Sequence, residues 1–151
     1  EYLRLDQFSN FAYGFEIYEA YKRDYSYDFD FLDYKNTTGH INFYHFFNPL
    51  ELTTHLSWGE YLAGDKGFTI DMSKRFDNGL KFGFYATFTD VTSEQYGEGS
   101  FNKGIYFSLP IDSLIGNGTT TDFVWSPLTK DPGQKLNHKY KLFNLIERFV
   151  Y

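Results

Sequence analysis

Cysteine is absent from this 151-residue sequence. Its absence excludes disulfides, thiolate nucleophiles and Cys-ligated zinc, and it leaves the redox compartment open. Long hydrophobic runs are absent too, since no stretch approaches the eighteen or so uncharged apolar residues that a membrane-spanning helix needs. A helical membrane protein is therefore excluded.

Basic residues are few: 14 Lys and Arg stand against 20 Asp and Glu, for a net charge of -6. Nucleic-acid affinity comes largely from clustered Lys and Arg, so nucleic acid is not expected as a partner. The four histidines, His40, His45, His55 and His138, lack the H-x-x-x-H and H-E-x-x-H spacings that place metal ligands on one helix face. We expect no metal site and no cofactor.

Aromatic residues are abundant, with 18 Phe and 14 Tyr among the 23% of the chain that is aromatic. Phe, Tyr and Thr favour the pleated surface of a strand. The composition therefore predicts an all-β protein, either a β-sandwich or a β-barrel. The first residue is Glu1 rather than Met, so we expect a processed chain, a fragment or part of a longer polypeptide.

Apolar and polar residues alternate most strictly from Leu80 to Asp90, which predicts a strand. The preceding Asp77-Asn78-Gly79 supplies the positive φ of a tight hairpin. The same rule predicts about eight strands: Glu1–Phe8, Phe11–Lys22, Thr37–Phe47, Glu51–Tyr61, Gly67–Phe76, Leu80–Asp90, Gly104–Leu109 and Thr119–Leu128. The last segment, Leu142–Tyr151, fits a helix or a strand, and we favour a strand.

The predicted connections alternate in length. Short turns at Asn48–Leu50 and Asp77–Gly79 and a moderate one at Asp112–Gly118 alternate with longer loops, at Arg23–Asn36, Gly59–Gly67, Thr92–Lys103 and Thr129–His138. Every second connection of an antiparallel sheet lies at the same end, so one end carries the short turns. Outer-membrane barrels have this asymmetry, and strands of about ten residues suit them.

Carboxylate pairs are available for sugar hydrolysis, at Glu60 and Asp65, Asp71 and Asp90, and Glu94 and Glu98. Such chemistry needs a defined separation between the two groups, which spacing alone does not supply. We favour solvated or pore-lining roles and predict no catalytic residue and no enzymatic activity. The segment Tyr25–Tyr34 suits stacking on sugar rings or an interfacial aromatic girdle, and both interpretations stay open.

Several blocks of sequence resemble the C-terminal part of the YjbH-like outer-membrane family over roughly Thr37 to Leu142. They are Tyr61–Asp65, Phe76–Gly79, Ala86–Val91, Gly97–Phe107 and Pro127–Asp131, in this order and spacing. The resemblance implies an outer-membrane β-barrel of Gram-negative bacteria that takes part in making or exporting exopolysaccharide or capsule. It implies no established enzymatic activity.

We therefore predict that residues 1–151 form a single segment, all or part of an antiparallel transmembrane β-barrel in the bacterial outer membrane. The lipid-facing candidates are Phe68, Ile70, Met72, Phe82, Phe84, Phe88, Ile105 and Phe107. The polar candidates for the lumen or its loops are Glu60, Asp71, Arg75, Asp90, Glu98 and Lys103. The expected function is a passage or scaffold for polysaccharide, with membrane lipid and polysaccharide as partners.

Eight strands alone enclose an interior that side chains fill. A conduit would therefore need further strands, from the rest of the polypeptide or from another chain of an export assembly. Three alternatives remain open at this point. The first is a purely structural outer-membrane anchor for a periplasmic assembly. The second is a soluble carbohydrate-binding β-sandwich that uses Tyr25–Tyr34, and the third is a glycoside-processing enzyme.

Overall fold

The computed structural model describes residues 1–6, 9–23, 31–96, 101–110, 122–126, 132–136, 138 and 140–150. Within these residues, eight strands form one antiparallel sheet, accompanied by two α-helices and a short 3-10 helix at Asn48–Leu50. The strands are β1 (Tyr2–Asp6), β2 (Phe11–Arg23), β3 (Phe31–Phe47), β4 (Leu52–Glu60), β5 (Lys66–Arg75), β6 (Lys81–Thr89), β7 (Asn102–Pro110) and β8 (Asp122–Trp125). The helices are α1 (Ser93–Tyr96) and α2 (Leu142–Val150).

The strands follow one another in chain order, from β1 at one edge of the sheet to β8 at the other. In the described part of the chain β8 does not pair with β1, so the sheet is open. The prediction of an all-β antiparallel fold with about eight strands is confirmed. None of the described helices is long and apolar enough to cross a membrane.

The hairpin between β5 and β6 forms where the sequence predicts it. Phe76 and Leu80 close the turn through a bond from the Phe76 N–H to the Leu80 carbonyl oxygen, 2.8 Å long. Gly79 has a φ of 82°, which is the conformation that a glycine tolerates at this position. The Asn78 side chain accepts a bond from the Leu80 N–H at 3.1 Å and so supports the turn.

Two connections are shorter than the sequence predicts. β3 begins at Phe31 rather than Thr37, because its first residues pair with the end of β2, where Arg23 lies opposite Phe31. The predicted Gly59–Gly67 loop is a tight turn, closed by a 2.8 Å bond from the Tyr61 N–H to the Asp65 carbonyl oxygen. The predicted difference in loop length between the two ends is therefore weaker than expected. The predicted Asp112–Gly118 turn lies outside the described residues.

The Thr92–Lys103 connection contains the one-turn helix α1. Its first turn is capped reciprocally, since the Gln95 side chain accepts from the Thr92 N–H at 3.1 Å and the Gln95 N–H donates to the Thr92 hydroxyl at 3.4 Å. β7 then begins at Asn102 rather than Gly104.

The C-terminal segment is a helix, so the preference for a strand over Leu142–Tyr151 is wrong. Helical spacing places Phe143 and Glu147 one turn apart on the side of α2 that packs against the sheet, and both are buried. The Leu142 N–H also donates to the Glu1 carboxylate at 3.1 Å, which ties the start of α2 to the start of the chain.

The two faces of the sheet differ in an unusual way. One face, here called the apolar face, leaves its large hydrophobic side chains exposed; examples are Phe15, Ile41, Phe43, Leu56, Trp58, Phe68, Phe82, Phe84 and Ile105. The opposite face, here called the polar face, buries Glu16, Thr38, His40, Asn42, Ser57, Thr69, Ser73, Thr87 and Asn102. The small hydrophobic core lies on the polar side, where Phe143 packs with Ala12, Tyr44 and Phe46.

Candidate functional site on the polar face

Hydrogen-bonded side chains cross the polar face from strand to strand. The Tyr61 hydroxyl lies 2.7 Å from the Thr69 hydroxyl, which lies 2.9 Å from the Thr87 hydroxyl. All three residues are buried. Because buried polar groups are costly unless they are paired, this chain of bonds is what allows a polar face to be covered.

Asp71 lies on the polar face of β5, opposite Tyr85 of β6 in the register. Its carboxylate accepts a bond of 2.9 Å from the Tyr106 hydroxyl of β7. The ring of Tyr106 passes over Gly83, where an added Cβ would collide with it. Gly83 therefore gives Tyr106 the room to reach Asp71 across β6.

Helix α2 covers one part of the polar face through an aromatic stack. The ring of Phe143 lies 3.7 Å from the ring of Tyr44, centre to centre, and nearly parallel to it, at 7°. Tyr44 stacks in turn on His55 at 4.3 Å, and Phe46 lies 5.7 Å from Phe143. The stack holds the helix to β3 and β4.

Glu147, one turn further along α2, binds two cations of the polar face. Its carboxylate lies 2.8 Å from the Lys81 ammonium and 3.1 Å from the Arg75 guanidinium. Burial alone would raise the pKa of Glu147, but the two cations outweigh it and the pKa lies below the usual carboxyl value. The carboxylate therefore stays ionised and links α2 to β5 and β6.

Residues 132–136 cover a second part of the polar face. The Gly133 N–H donates to the Asp65 carboxylate at 2.8 Å, and the Leu62 N–H donates to the Gln134 carbonyl oxygen at 2.9 Å. Gly133 has a φ of 83° and lies against Thr87, which leaves no room for a Cβ. Burial raises the pKa of Asp65, and the Gly133 N–H only partly offsets that effect.

Lys135 in the same segment is an unusual cation. Burial and the nearby Lys141 lower the pKa of its ammonium to about 7, against the opposing pull of Glu16 and Asp71 on the polar face. The polar face is therefore covered by ionisable groups as well as by the aromatic stack of α2.

A cleft of about 690 Å³ opens at the end of the sheet that carries the β3–β4 and β5–β6 turns. Its wall includes Phe46, Phe47, Glu51, Arg75, Phe76 and Glu147. The Arg75–Glu147 ion pair that holds α2 is thus part of the wall of this cleft. We call it the rim cleft.

The polar candidates from the sequence fall into separate places. Asp71 and Arg75 lie on the polar face of β5, where Tyr106 and Glu147 engage them. Glu60 and Lys103 lie on the other face. Glu60 faces Lys66 at 3.7 Å, and the Lys103 ammonium lies 4.7 Å from the ring centre of Phe101.

Of the two remaining polar candidates, the structure describes one. Asp90 is exposed at the end of β6 and accepts a bond from the Lys66 N–H at 2.9 Å. Glu98 lies outside the described residues.

The eight lipid-facing candidates share the apolar face. Phe68, Phe82, Phe84 and Ile105 are exposed, whereas Ile70, Met72, Phe88 and Phe107 are partly covered by their neighbours. Phe68 and Phe88 stack at 5.0 Å, and Phe107 stacks on Trp125 at 5.5 Å. That these side chains contact lipid remains a prediction.

Four residues of the site were not among the candidates predicted from the sequence: Phe143, Glu147, Gly133 and Lys135. The spacing of Phe143 and Glu147 is a usable signal, since residues four apart share a helix face. Nothing in the sequence pairs Gly133 with Asp65, 68 residues earlier. Among the described residues, no three His, Asp or Glu side chains come together as a metal site.

Comparison with known proteins decides the family. The YjbH family, described as exopolysaccharide biosynthesis protein YbjH, matches residues 2–148. The chain belongs to this family. The YjbH resemblance seen in the sequence is thereby confirmed for the family itself and extends over nearly the whole chain.

A curated YjbH relative is the uncharacterized lipoprotein YjbH of Escherichia coli (strain K12), which is 42% identical to this chain. The alignment covers 91% of this chain and 20% of the E. coli protein. The chain therefore spans about one fifth of that relative's length. No solved structure matches this chain.

One block of the YjbH resemblance has a clear structural role. Tyr61–Asp65 is the tight turn between β4 and β5, with Gly64 at a φ of 82°. Its Leu62 and Asp65 form hydrogen bonds to Gln134 and Gly133. The block thus joins the sheet to the segment that covers its polar face.

We expect Asp65→Ala to release residues 132–136 from the sheet. The substitution leaves the buried Gly133 N–H without an acceptor, which costs about 1–3 kcal/mol. Hydrogen exchange of the full-length protein should then be faster at Gly133 and Gln134. Asp65→Asn is the matched control, because its side-chain oxygen still accepts the bond. Equal exchange in the wild-type protein and the Ala variant would contradict the assigned bond.

Proposed function

We propose that this chain forms part of an outer-membrane β-barrel that takes part in exopolysaccharide biosynthesis and export, as a scaffold or a passage, without catalysing a reaction. The observation that carries the proposal is the arrangement of the two faces: the apolar face is exposed and the polar face is covered. A membrane barrel needs this arrangement, with an apolar outer surface and a polar interior.

The same arrangement argues against the carbohydrate-binding β-sandwich. A sandwich packs its apolar face against a second sheet and turns its polar face to water. Here Trp58 is 63% exposed and Ile17 is 64% exposed, both on the apolar face. So large an apolar surface marks a binding or membrane-contact surface rather than an ordinary solvated one.

Strand length supports the same proposal. β4, β6 and β7 contain 9 residues each and β5 contains 10. A tilted strand needs about 9–11 residues to cross the hydrocarbon layer of a bilayer. The central strands are therefore long enough to span it.

The eight strands of the described residues form an open sheet, and further strands would close the barrel. Among the described residues, β1 and β8 are the two edge strands and do not pair with each other, and an unpaired strand edge is costly in lipid. Since the chain spans about one fifth of its E. coli relative, the rest of such a polypeptide is a ready source of the remaining strands. Another chain of an export assembly is the alternative source.

The covered polar face bears on the choice between scaffold and passage. Phe143 and Glu147 of α2 occupy the side of the sheet that would face the lumen. This arrangement favours a scaffold, and a passage would require α2 to move. The link to exopolysaccharide comes from the family description, and the membrane location is in keeping with the lipoprotein name of the E. coli relative.

The test replaces Asp71 and Arg75 together with Ala in the full-length protein. We expect less exopolysaccharide at the cell surface, while the protein still fractionates with the outer membrane, because the changed side chains lie on the polar face. Glu60→Ala with Lys103→Ala is the matched control, since it removes one acid and one base from the other face. Unchanged amount and length of polymer in the Asp71 and Arg75 variant would contradict the proposed role of this face.

A further inference from the structure

The rim cleft lies where the polar face meets two turns and the end of α2. Its volume of about 690 Å³ falls within the range of 300–1,000 Å³ that is usual for ligand sites. Phe46 is buried in its wall, and Phe47 and Phe76 stand at its mouth, 44% and 43% exposed. We propose that the rim cleft binds a short stretch of uncharged glycan.

The aromatic wall fits the apolar face of a sugar ring. Phenyl rings offer a large rigid surface at a small cost in conformational entropy. Phe47 and Phe76 come from different strand ends, β3 and the turn after β5, so two rings reach the cleft from two sides. Two aromatic surfaces suit more than one sugar unit.

Polar groups for the edges of a sugar line the same cleft. The Arg75 Nε–H is buried and has no hydrogen-bond partner among the described residues, although its other nitrogens bind Glu147 and the Gly79 carbonyl oxygen. The two Nη groups belong to a side chain that is 26% exposed and carry four N–H donors between them, so they can also donate to a ligand hydroxyl. Asn48 and Asp77 add exposed polar side chains at the mouth.

The charge of the lining selects an uncharged glycan over an acidic one. Glu51, Asp77 and Glu147 contribute three carboxylates, whereas Arg75 contributes one guanidinium. Lys74 and Lys81 balance Glu51 at 3.3 Å and Glu147 at 2.8 Å, so the charged side chains described at the cleft leave no surplus cation for a uronate. An acidic polymer would therefore gain no net electrostatic attraction here.

This inference rests on the proposed function, which supplies the link to polysaccharide. It places the binding of polysaccharide in the rim cleft. The experiment uses the full-length protein in detergent and isothermal titration calorimetry. The probes are three uncharged hexasaccharides, namely cellohexaose, maltohexaose and laminarihexaose, with hexamannuronate as the acidic comparison. We expect saturable binding of at least one uncharged probe and weaker or no binding of hexamannuronate.

The double variant Phe47→Ala and Phe76→Ala should weaken that binding about tenfold, as expected for the loss of two stacking rings. Phe11→Ala is the matched control, because Phe11 is 48% exposed, stacks on His45 and lies outside the cleft. Binding of no uncharged probe, tighter binding of hexamannuronate, or equal affinity in the double variant would each overturn the assignment. Outer-membrane fractionation of the same variants reports separately on the proposed function.

Discussion

We expect Phe84→Arg to lower the stability of the membrane-inserted protein by about 2–4 kcal/mol, the cost of an arginine at the bilayer midplane of a barrel. Phe84 lies in the middle of β6, between Met72 of β5 and Ile105 of β7 in the register, and it is 49% exposed. In a water-soluble protein, the same change at an exposed position would alter stability by only about 0.5 kcal/mol. The two environments therefore predict different results for one substitution.

The measurement is reversible unfolding by urea from lipid vesicles, with the full-length protein. Leu50→Arg is the control, since Leu50 is 55% exposed but belongs to the turn between β3 and β4. It should change stability by less than about 1 kcal/mol. If both substitutions had the same small effect, the apolar face would not lie in lipid.

The second large effect is expected at Glu147. Its carboxylate is 3% exposed and binds Arg75 and Lys81, whose side chains are 26% and 14% exposed. Removing one member of a buried ion pair leaves the partner charges uncompensated, which costs about 3–5 kcal/mol. We expect Glu147→Ala to lower the free energy of unfolding by an amount nearer the lower end of this range, because Arg75 keeps some contact with water.

The pH dependence of stability provides a further check on Glu147. Its pKa is below the usual value in the folded protein, so the ionised form stabilises the fold above the ordinary carboxyl pKa of 4.5. That contribution is lost as the pH falls through the folded pKa. Unfolding curves from pH 7 to pH 3 should therefore show a smaller loss of stability in Glu147→Ala than in the wild-type protein.

Glu51→Ala is the control for Glu147, since the Glu51–Lys74 pair is more exposed and should contribute less than about 1 kcal/mol. Parallel pH profiles for the wild-type protein and Glu147→Ala would show that the carboxylate does not hold α2 to the sheet.

The strands were predictable from the sequence because period-two alternation is a local property. Leu80–Asp90 carries enough alternating residues to identify β6, and Asp77–Gly79 identifies the turn before it. The start of β3 was not predictable in the same way. Phe31 is in a strand because it pairs with Arg23, and pairing across a connection is not visible in either segment alone.

The covering of the polar face was beyond the reach of sequence patterns. Leu142–Val150 is compatible with both secondary structures, and distant contacts decide between them: Phe143 stacks on Tyr44, and Glu147 binds Arg75, 72 residues away. Alternation also leaves the environment of each face open, since a sandwich and a barrel share the same pattern. The burial of side chains in the structure shows which face is exposed.

The most direct test introduces one cysteine into residues 1–151, which contain none, and uses the unsubstituted full-length protein to measure the labelling of any cysteine elsewhere. Phe84→Cys, labelled with bimane in the full-length protein, would be compared with Asn78→Cys in the exposed β5–β6 turn. If the apolar face contacts lipid, brominated lipids quench the probe at position 84 strongly and the probe at position 78 weakly. Quenching at position 84 by aqueous iodide, with no effect of brominated lipids, would contradict it.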